Sequence, residues 1–221
     1  MTTRILLVDD QASIRDAYRI ILDAHPDMNV VGDAPDGAAA FELARALRPD
    51  VVLADIRMPR MDGLELTRRL VALDITVVVV TTFDLDEYVQ QAIQAGASGF
   101  ILKRSNPTLL TEAIRAAVAG DALISPEITV RLLRTMSVES KPHEADTDED
   151  LTAREMDVLQ LIATGHTNAD IGRELFIAPG TVKNHVANVQ RKVGARNRVA
   201  IAAWAWENDM VRKRDRTPDQ S

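Results

Sequence analysis

Apolar residues follow two rhythms along this chain. Over residues 1–120, short unbroken apolar runs alternate with longer stretches in which apolar positions recur every three or four residues. The runs are Ile5–Val8, Asn29–Gly32, Val51–Ala54, Val77–Val80 and Gly99–Leu102. Val77-Val78-Val79-Val80 is uninterrupted and β-branched, as expected of a parallel strand buried on both faces. The helical stretches are Ala12–Ala24, Gly37–Leu47, Gly63–Ala72, Leu85–Ala95 and Pro107–Ala119. Strand-then-helix repetition predicts an α/β domain, doubly wound around a five-stranded parallel sheet.

The rhythm changes beyond residue 120. One more helix is predicted over Ser125–Met136, with Ser125 as N-cap and Pro126 at the first helical position. Residues 137–150, SVESKPHEADTDED, have almost no apolar side chains and read as a flexible acidic linker. From Leu151 the period is helical only. Thr152-Ala153-Arg154-Glu155 is a capping box, followed by apolar Met156, Leu159, Ile162 and Ala163 and ended by Gly165. Thr167, with Asp170 three residues on, caps a helix over 168–175. A third helix begins at Pro179 and runs to about Val193, and a fourth covers Arg198–Glu207. The expected organisation is therefore an α/β domain over 1–120, a linker with one helix over 121–150, an all-α four-helix domain over 151–210 and a frayed tail over 211–221.

Composition narrows the class. A chain of 221 residues, 46% of them apolar, suits two domains of about 100 residues. No apolar run approaches the roughly 18 residues of a membrane span. The first apolar run is too short for a secretory leader and ends in two carboxylates, so no membrane insertion and a cytoplasmic location are expected. The absence of cysteine rules out disulfides and thiolate metal sites, His25 and His143 suggest no metal site, and His166 reads as an exposed turn residue. The net charge of −7 is uneven: residues 1–120 carry −5, residues 121–150 carry −5 and residues 151–221 carry +3. A basic C-terminal third behind acidic segments is compatible with a nucleic-acid module on a regulatory domain.

The chemistry concentrates at strand ends. Asp9 and Asp10 follow the first strand and Asp55 ends the third. In an open parallel sheet these ends share one edge, where such folds bind ligands, so three carboxylates should converge. Two unit charges about 4 Å apart repel by roughly 4 kcal/mol at an effective dielectric near 20. A cation is therefore expected, and hard oxygen ligands beside phosphate chemistry point to Mg²⁺. Thr81 ends the fourth strand and Lys103 the fifth, on the same edge. A carboxylate nucleophile, a metal, a hydroxyl and an ammonium suit phosphoryl transfer.

These residues carry a resemblance. VDD at 8–10, DIRMPRMDG at 55–63, TTF at 81–83 and AGASGFILK at 95–103 resemble the receiver domain of bacterial response regulators. The resemblance implies a flavodoxin-like fold for this domain, and it implies that Asp55 accepts a phosphoryl group from a sensor histidine kinase. It implies Mg²⁺ ligation by Asp10, Asp55 and the Arg57 backbone carbonyl, with Asp9 acting through water. Thr81 and Lys103 would contact the phosphoryl group, and Phe100 stands at the aromatic switch position, turning inward on phosphorylation. Arg104 departs from the pattern, since many receivers carry Pro there.

Residues 151–206 resemble the four-helix DNA-binding domain of the LuxR type, through LTARE, TNADI and GTVKNHV. The two resemblances together, in this order, are similar to a two-component response regulator of the NarL/FixJ type. In such a helix-turn-helix, Phe176–Ala178 make the turn and the helix from Pro179 enters the major groove. Val182, Val186, Val189 and Val193 form its inward face. Lys183, Asn184 and Ala187 are the candidates for base contacts, Ala187 through a thymine methyl. Asn168, Thr181, Arg191, Lys192 and Arg198 are the candidates for phosphate contacts. Ala178 stands where the family usually has a Ser or Thr cap, and Ala203 and Trp204 are candidate dimer-interface residues.

The expected function follows: phosphorylation of Asp55 controls dimerisation and sequence-specific binding to double-stranded promoter DNA, with RNA polymerase as a further partner. The chain is not expected to be an enzyme beyond self-phosphorylation and dephosphorylation. One rival is a phosphorylation-independent regulator whose receiver is an interaction domain. Another is a Mg²⁺-dependent phosphohydrolase, disfavoured because Arg57, not a second acid, follows Asp55 by two residues.

Overall fold

The computed structural model describes residues 2–82, 86–124, 150–208 and 210. The expected helix over Ser125–Met136, the linker up to 149, His143 and the tail over 211–221 lie outside the described residues. The chain divides into two compact units, an N-terminal one built on a sheet and a C-terminal one built of helices.

In the first unit strands and helices alternate as β1 (Thr3–Val8), α1 (Ala12–Asp23), β2 (Met28–Ala34), α2 (Gly37–Leu47), β3 (Val51–Asp55), α3 (Gly63–Val71), β4 (Thr76–Thr81), α4 (Asp86–Ala95), β5 (Gly99–Leu102) and α5 (Pro107–Ala119). The sheet is parallel, in the order β2-β1-β3-β4-β5-β6. The sixth strand, β6 (Leu123–Ile124), corrects the expected count of five. It is two residues long and half-buried, too short to show a period, and pairs Leu123 with Gly99 and Ile124 with Phe100. Gly120, left-handed at φ 84°, ends α5 and lets the chain turn back to it.

Alternate strand residues feed the two faces of the sheet. Leu6, Val8, Val52, Ala54, Val77, Val79 and Phe100 pack in one cluster with Ala40 and Ala44 of α2, Leu64, Leu66 and Leu70 of α3 and Ala92 of α4. Ile5, Leu7, Val51, Leu53, Val78, Val80 and Ile101 pack in the other with Leu22 of α1 and Leu110, Ala113 and Ile114 of α5. Two covered faces explain why the strands read as continuous apolar runs.

The second unit contains α6 (Ala153–Ala163), α7 (Asn168–Leu175), α8 (Pro179–Lys192) and, from Ala200 on, α9 (Arg198–Glu207). Its core comprises Val158, Leu159, Ile162, Ile171, Val182, Val186, Val189, Val193, Ile201 and Ala205. Both expected caps form. Thr152 accepts from the Glu155 amide while Glu155 accepts from the Thr152 amide, and Thr167 and Asp170 reciprocate in the same way. Arg154 donates to the Leu175 carbonyl and so ties the start of α6 to the end of α7.

Candidate functional site

The strand order reverses between β1 and β3, and Asp9, Asp10 and Asp55 sit beside that point, where open α/β sheets bind ligands. One carboxylate oxygen from each of the three lies within 4.8 Å of the others. Asp9 and Asp55 are buried and Asp10 is exposed. Lys103, just past β5, reaches back so that its Nζ lies 2.7 Å from both Asp9 Oδ2 and Asp55 Oδ2. The Ile56 amide donates to Asp55 Oδ1 at 2.7 Å, and the Gln11 amide donates to Asp9 Oδ1 at 3.0 Å. Asp9 thus serves both the cluster and the start of α1, whose own cap position, Gln11, makes no side-chain cap.

Burial pushes the Asp55 carboxyl above its ordinary range, and the Lys103 contacts only partly oppose this. Burial pulls the Lys103 ammonium down, but its hydrogen bonds to Asp55 and Asp9 outweigh that and hold it above the usual lysine value. One ammonium faces three carboxylates, and the deficit of positive charge, together with hard oxygen donors only, fits a divalent cation such as Mg²⁺. A cleft lined by Asp10, Ile56, Arg57, Met58, Pro59, Asp62 and Tyr88 opens beside the cluster, and the Arg57 guanidinium lies 5.9 Å from the Tyr88 ring centre.

The loop from β3 to α3 forms a wall of that cleft. Gly63 is there by necessity: a Cβ would lie 2.0 Å from the Asp55 carbonyl oxygen. The Gly63 amide closes the loop on the Ile56 carbonyl at 2.9 Å. Thr81 ends β4 as expected, half-buried, with its hydroxyl donating to the Thr82 carbonyl at 3.1 Å. Phe100, on β5, is buried in the core cluster in this conformation. Arg15 escaped the sequence reading. It donates to the Asp9 carbonyl at 2.7 Å and pairs with Asp33 of β2 at 2.9 Å. Its position on the first turns of α1 looked like an ordinary polar face.

In the second unit, Val182, Val186, Val189 and Val193 are buried as expected, and Thr181, Lys183, Asn184, Ala187, Asn188 and Arg191 are exposed along α8. Two phosphate-contact candidates need correction. Lys192 is 11% exposed, and its Nζ lies 2.9 Å from Glu155 Oε2 and donates to the Asp150 carbonyl, so it is engaged inside the domain. Asn168 opens α7 but is 4% exposed, too buried to reach a phosphate. Arg198 opens α9 and is half-buried. Ala203 and Trp204 are half-buried, and Trp204 packs against the domain core. The more exposed indole is Trp206, which donates to the Ala163 carbonyl at 3.0 Å.

A doubly wound sheet with an acidic switch-point cluster and a lysine, followed by a capped helix-turn-helix, defines a two-component response regulator with a DNA-binding output domain. The chain belongs to this family. Residues 5–115 match the response regulator receiver domain, and residues 149–205 match the LuxR family of bacterial regulatory proteins. The chain is 38% identical over 213 residues to the transcriptional regulatory protein LiaR of Bacillus subtilis, covering 94% of this chain and 99% of LiaR. It is 37% identical over 202 residues to the nitrate/nitrite response regulator protein NarL of Escherichia coli strain K12, covering 90% and 93% of the two. Among solved structures, the response regulator ChrA of a heme-sensing two-component system superposes with a TM-score of 0.54 at 33% identity, covering 95% of this chain and 99% of ChrA.

Proposed function

We propose that Asp55 accepts a phosphoryl group from a sensor histidine kinase and that this modification controls dimerisation and promoter binding by α8. The observation that carries this reading is the placement of Asp55: within 4.8 Å of two further carboxylates and in contact with Lys103. In the transfer, the P–N bond of a phosphohistidine breaks and a P–O bond to an Asp55 carboxylate oxygen forms. Lys103 then exchanges a carboxylate partner for a phosphoryl oxygen without leaving its place, and the Thr81 hydroxyl turns from the Thr82 carbonyl to the same group. Asp10, Asp55 and the Arg57 carbonyl would hold Mg²⁺, with Asp9 acting through water. The bound metal would offset charge on the phosphoryl oxygens.

On the output side, Lys183, Asn184 and Ala187 occupy the exposed start and middle of α8, the part of a recognition helix that faces base edges. Thr181, Arg191 and Arg198 supply phosphate contacts. The domain division 1–120, 121–150 and 151–210, followed by a tail, belongs to the same reading, as do the cytoplasm as its compartment, a homodimer as the active form, with Ala203 and Trp204 at its interface, and RNA polymerase as a partner of the bound dimer.

The test is incubation of the full chain with an acyl phosphate and Mg²⁺. One phosphoryl group per chain, lost in Asp55→Asn, is the expected result. No labelling would favour a receiver that acts only as an interaction domain, and rapid turnover of the donor would favour a phosphohydrolase.

A further inference from the structure

Between β2 and α2 stands a carboxylate that the phosphoryl chemistry does not use. Asp36 is 0% exposed, yet it faces the wall of the cleft rather than the cleft itself. Its Oδ1 accepts from the amides of Ala38 and Ala39 at 2.9 and 3.0 Å, which caps α2. Its Oδ2 takes the guanidinium of Arg60, whose side chain is 64% exposed. The Arg60 contact, first, and the Ala39 amide bring the Asp36 carboxyl down to about 2, so it is charged at any physiological pH. Arg60 sits at φ 65°, in the left-handed region, at the outer bend of the loop between β3 and α3. Next to it the Gly37 amide donates to the Met61 carbonyl at 3.1 Å, and a Cβ on Gly37 would lie 2.6 Å from that oxygen.

The loop held in this way is the one that carries the Arg57 carbonyl and follows directly on Asp55. At its inner end it is tied by the bond from the Gly63 amide to Ile56. At its outer end the ties are the Gly37 backbone contact and the Asp36–Arg60 pair. We propose that Asp36 and Arg60 form a latch that positions the β3–α3 loop, and with it the Arg57 carbonyl, for divalent-cation binding at the acidic cluster. Both are positioning residues, since neither touches the cluster. Groups that orient metal ligands typically cost about 10- to 100-fold in affinity when removed, although they make no bond to the ion. The latch rests on the reading that the cluster takes a divalent cation.

The two halves of the pair can be broken separately. Asp36→Ser keeps an N-cap oxygen for α2 and removes the arm that reaches Arg60. Arg60→Ala removes the guanidinium from a largely exposed side chain. Titration of the full-length chain with MgCl₂ in a calorimeter, without phosphodonor, reads metal binding directly, and thermal unfolding of each variant reports the fold. The expected result is a loss of about tenfold in Mg²⁺ affinity in each single variant, with no further loss in the double variant, because both remove one contact. Arg60→Ala should melt close to the parent. Unchanged Mg²⁺ affinity in both single variants would overturn the latch, and so would losses that add in the double variant. A parent chain that takes up no Mg²⁺ would overturn the metal reading itself, and the latch with it.

Discussion

Neighbouring residues of equal charge can differ sharply in burial, and Arg191 and Lys192 show it. Both lie in the last turn of α8. Arg191 is exposed, whereas Lys192 reaches Glu155, which is itself 6% exposed on its side chain. Breaking a buried pair by removing one partner strands the other charge, at a cost on the order of 3 kcal/mol. Lys192→Met should therefore lower the denaturant midpoint of the C-terminal unit, followed by the fluorescence of Trp204 and Trp206, the only tryptophans of the chain. Arg191→Ala should leave that midpoint within about 0.5 kcal/mol of the parent and instead reduce the slope of log affinity against log salt for duplex DNA by about one. The same pair sets an acid limit. Burial alone would raise the Glu155 carboxyl, but the Lys192 ammonium and the Thr152 amide and hydroxyl outweigh it and bring it from 4.5 down to about 2. Its contribution is complete above about pH 4.5 and is lost as the pH falls towards 2. Unfolding midpoints measured from pH 6 to pH 2 should fall steeply for the parent below about pH 4.5 and less steeply for Lys192→Met. Equal slopes would remove the ion pair as the cause.

Elements were legible where their signal is periodic or chemical, and less so where it depends on a distant partner. The strands could be read because both their faces are covered, so each appears as an apolar run. Asp9, Asp10, Asp55 and Lys103 could be placed because each ends a strand or follows one within two residues, and parallel strands end on one edge. β6 could not be read, since two half-buried residues have no period. Lys192 was misplaced because its partner is 37 residues away, and Asn168 because helical spacing does not reveal which polar residue is buried at a helix start. Local chemistry also leaves a weak point on each side of the turn between α7 and α8. Ala178, at the start of α8, makes no side-chain cap, and Phe176, the C-cap of α7, is left-handed at φ 55° and 93% exposed. Ala178→Ser should stabilise the domain by about 1 kcal/mol. Phe176→Asn should add a further gain of about 1 kcal/mol, because Asn tolerates the left-handed region and little packing is lost. Chemical denaturation of the single and double variants checks both values. A destabilised Phe176→Asn would show that the ring has contacts worth more than the backbone relief.

At the scale of the whole chain, charge is distributed against DNA binding as well as for it. Residues 151–221 carry +3, and the 30 residues before them, 121–150, carry −5. Six of those acids fall close together: Glu139, Glu144, Asp146, Asp148, Glu149 and Asp150. The acids precede the helical domain directly in the chain, and at low salt the field of a charge reaches well beyond contact distance, with a Debye length of about 30 Å at 0.01 M. Such acids are expected to lower the attraction of the basic domain for a phosphate backbone. Replacing the six acids by their amides removes six negative charges and alters no residue of α6 to α9. DNA affinity of the unphosphorylated chain, measured by fluorescence anisotropy on a random duplex, should rise several-fold at 0.01–0.05 M salt. The gain should shrink towards parity near 0.3 M, where screening shortens the field to roughly 6 Å. A gain that persists at high salt would point to a conformational effect of the substitutions, and no gain at low salt would mean that the acidic segment leaves DNA approach unaffected.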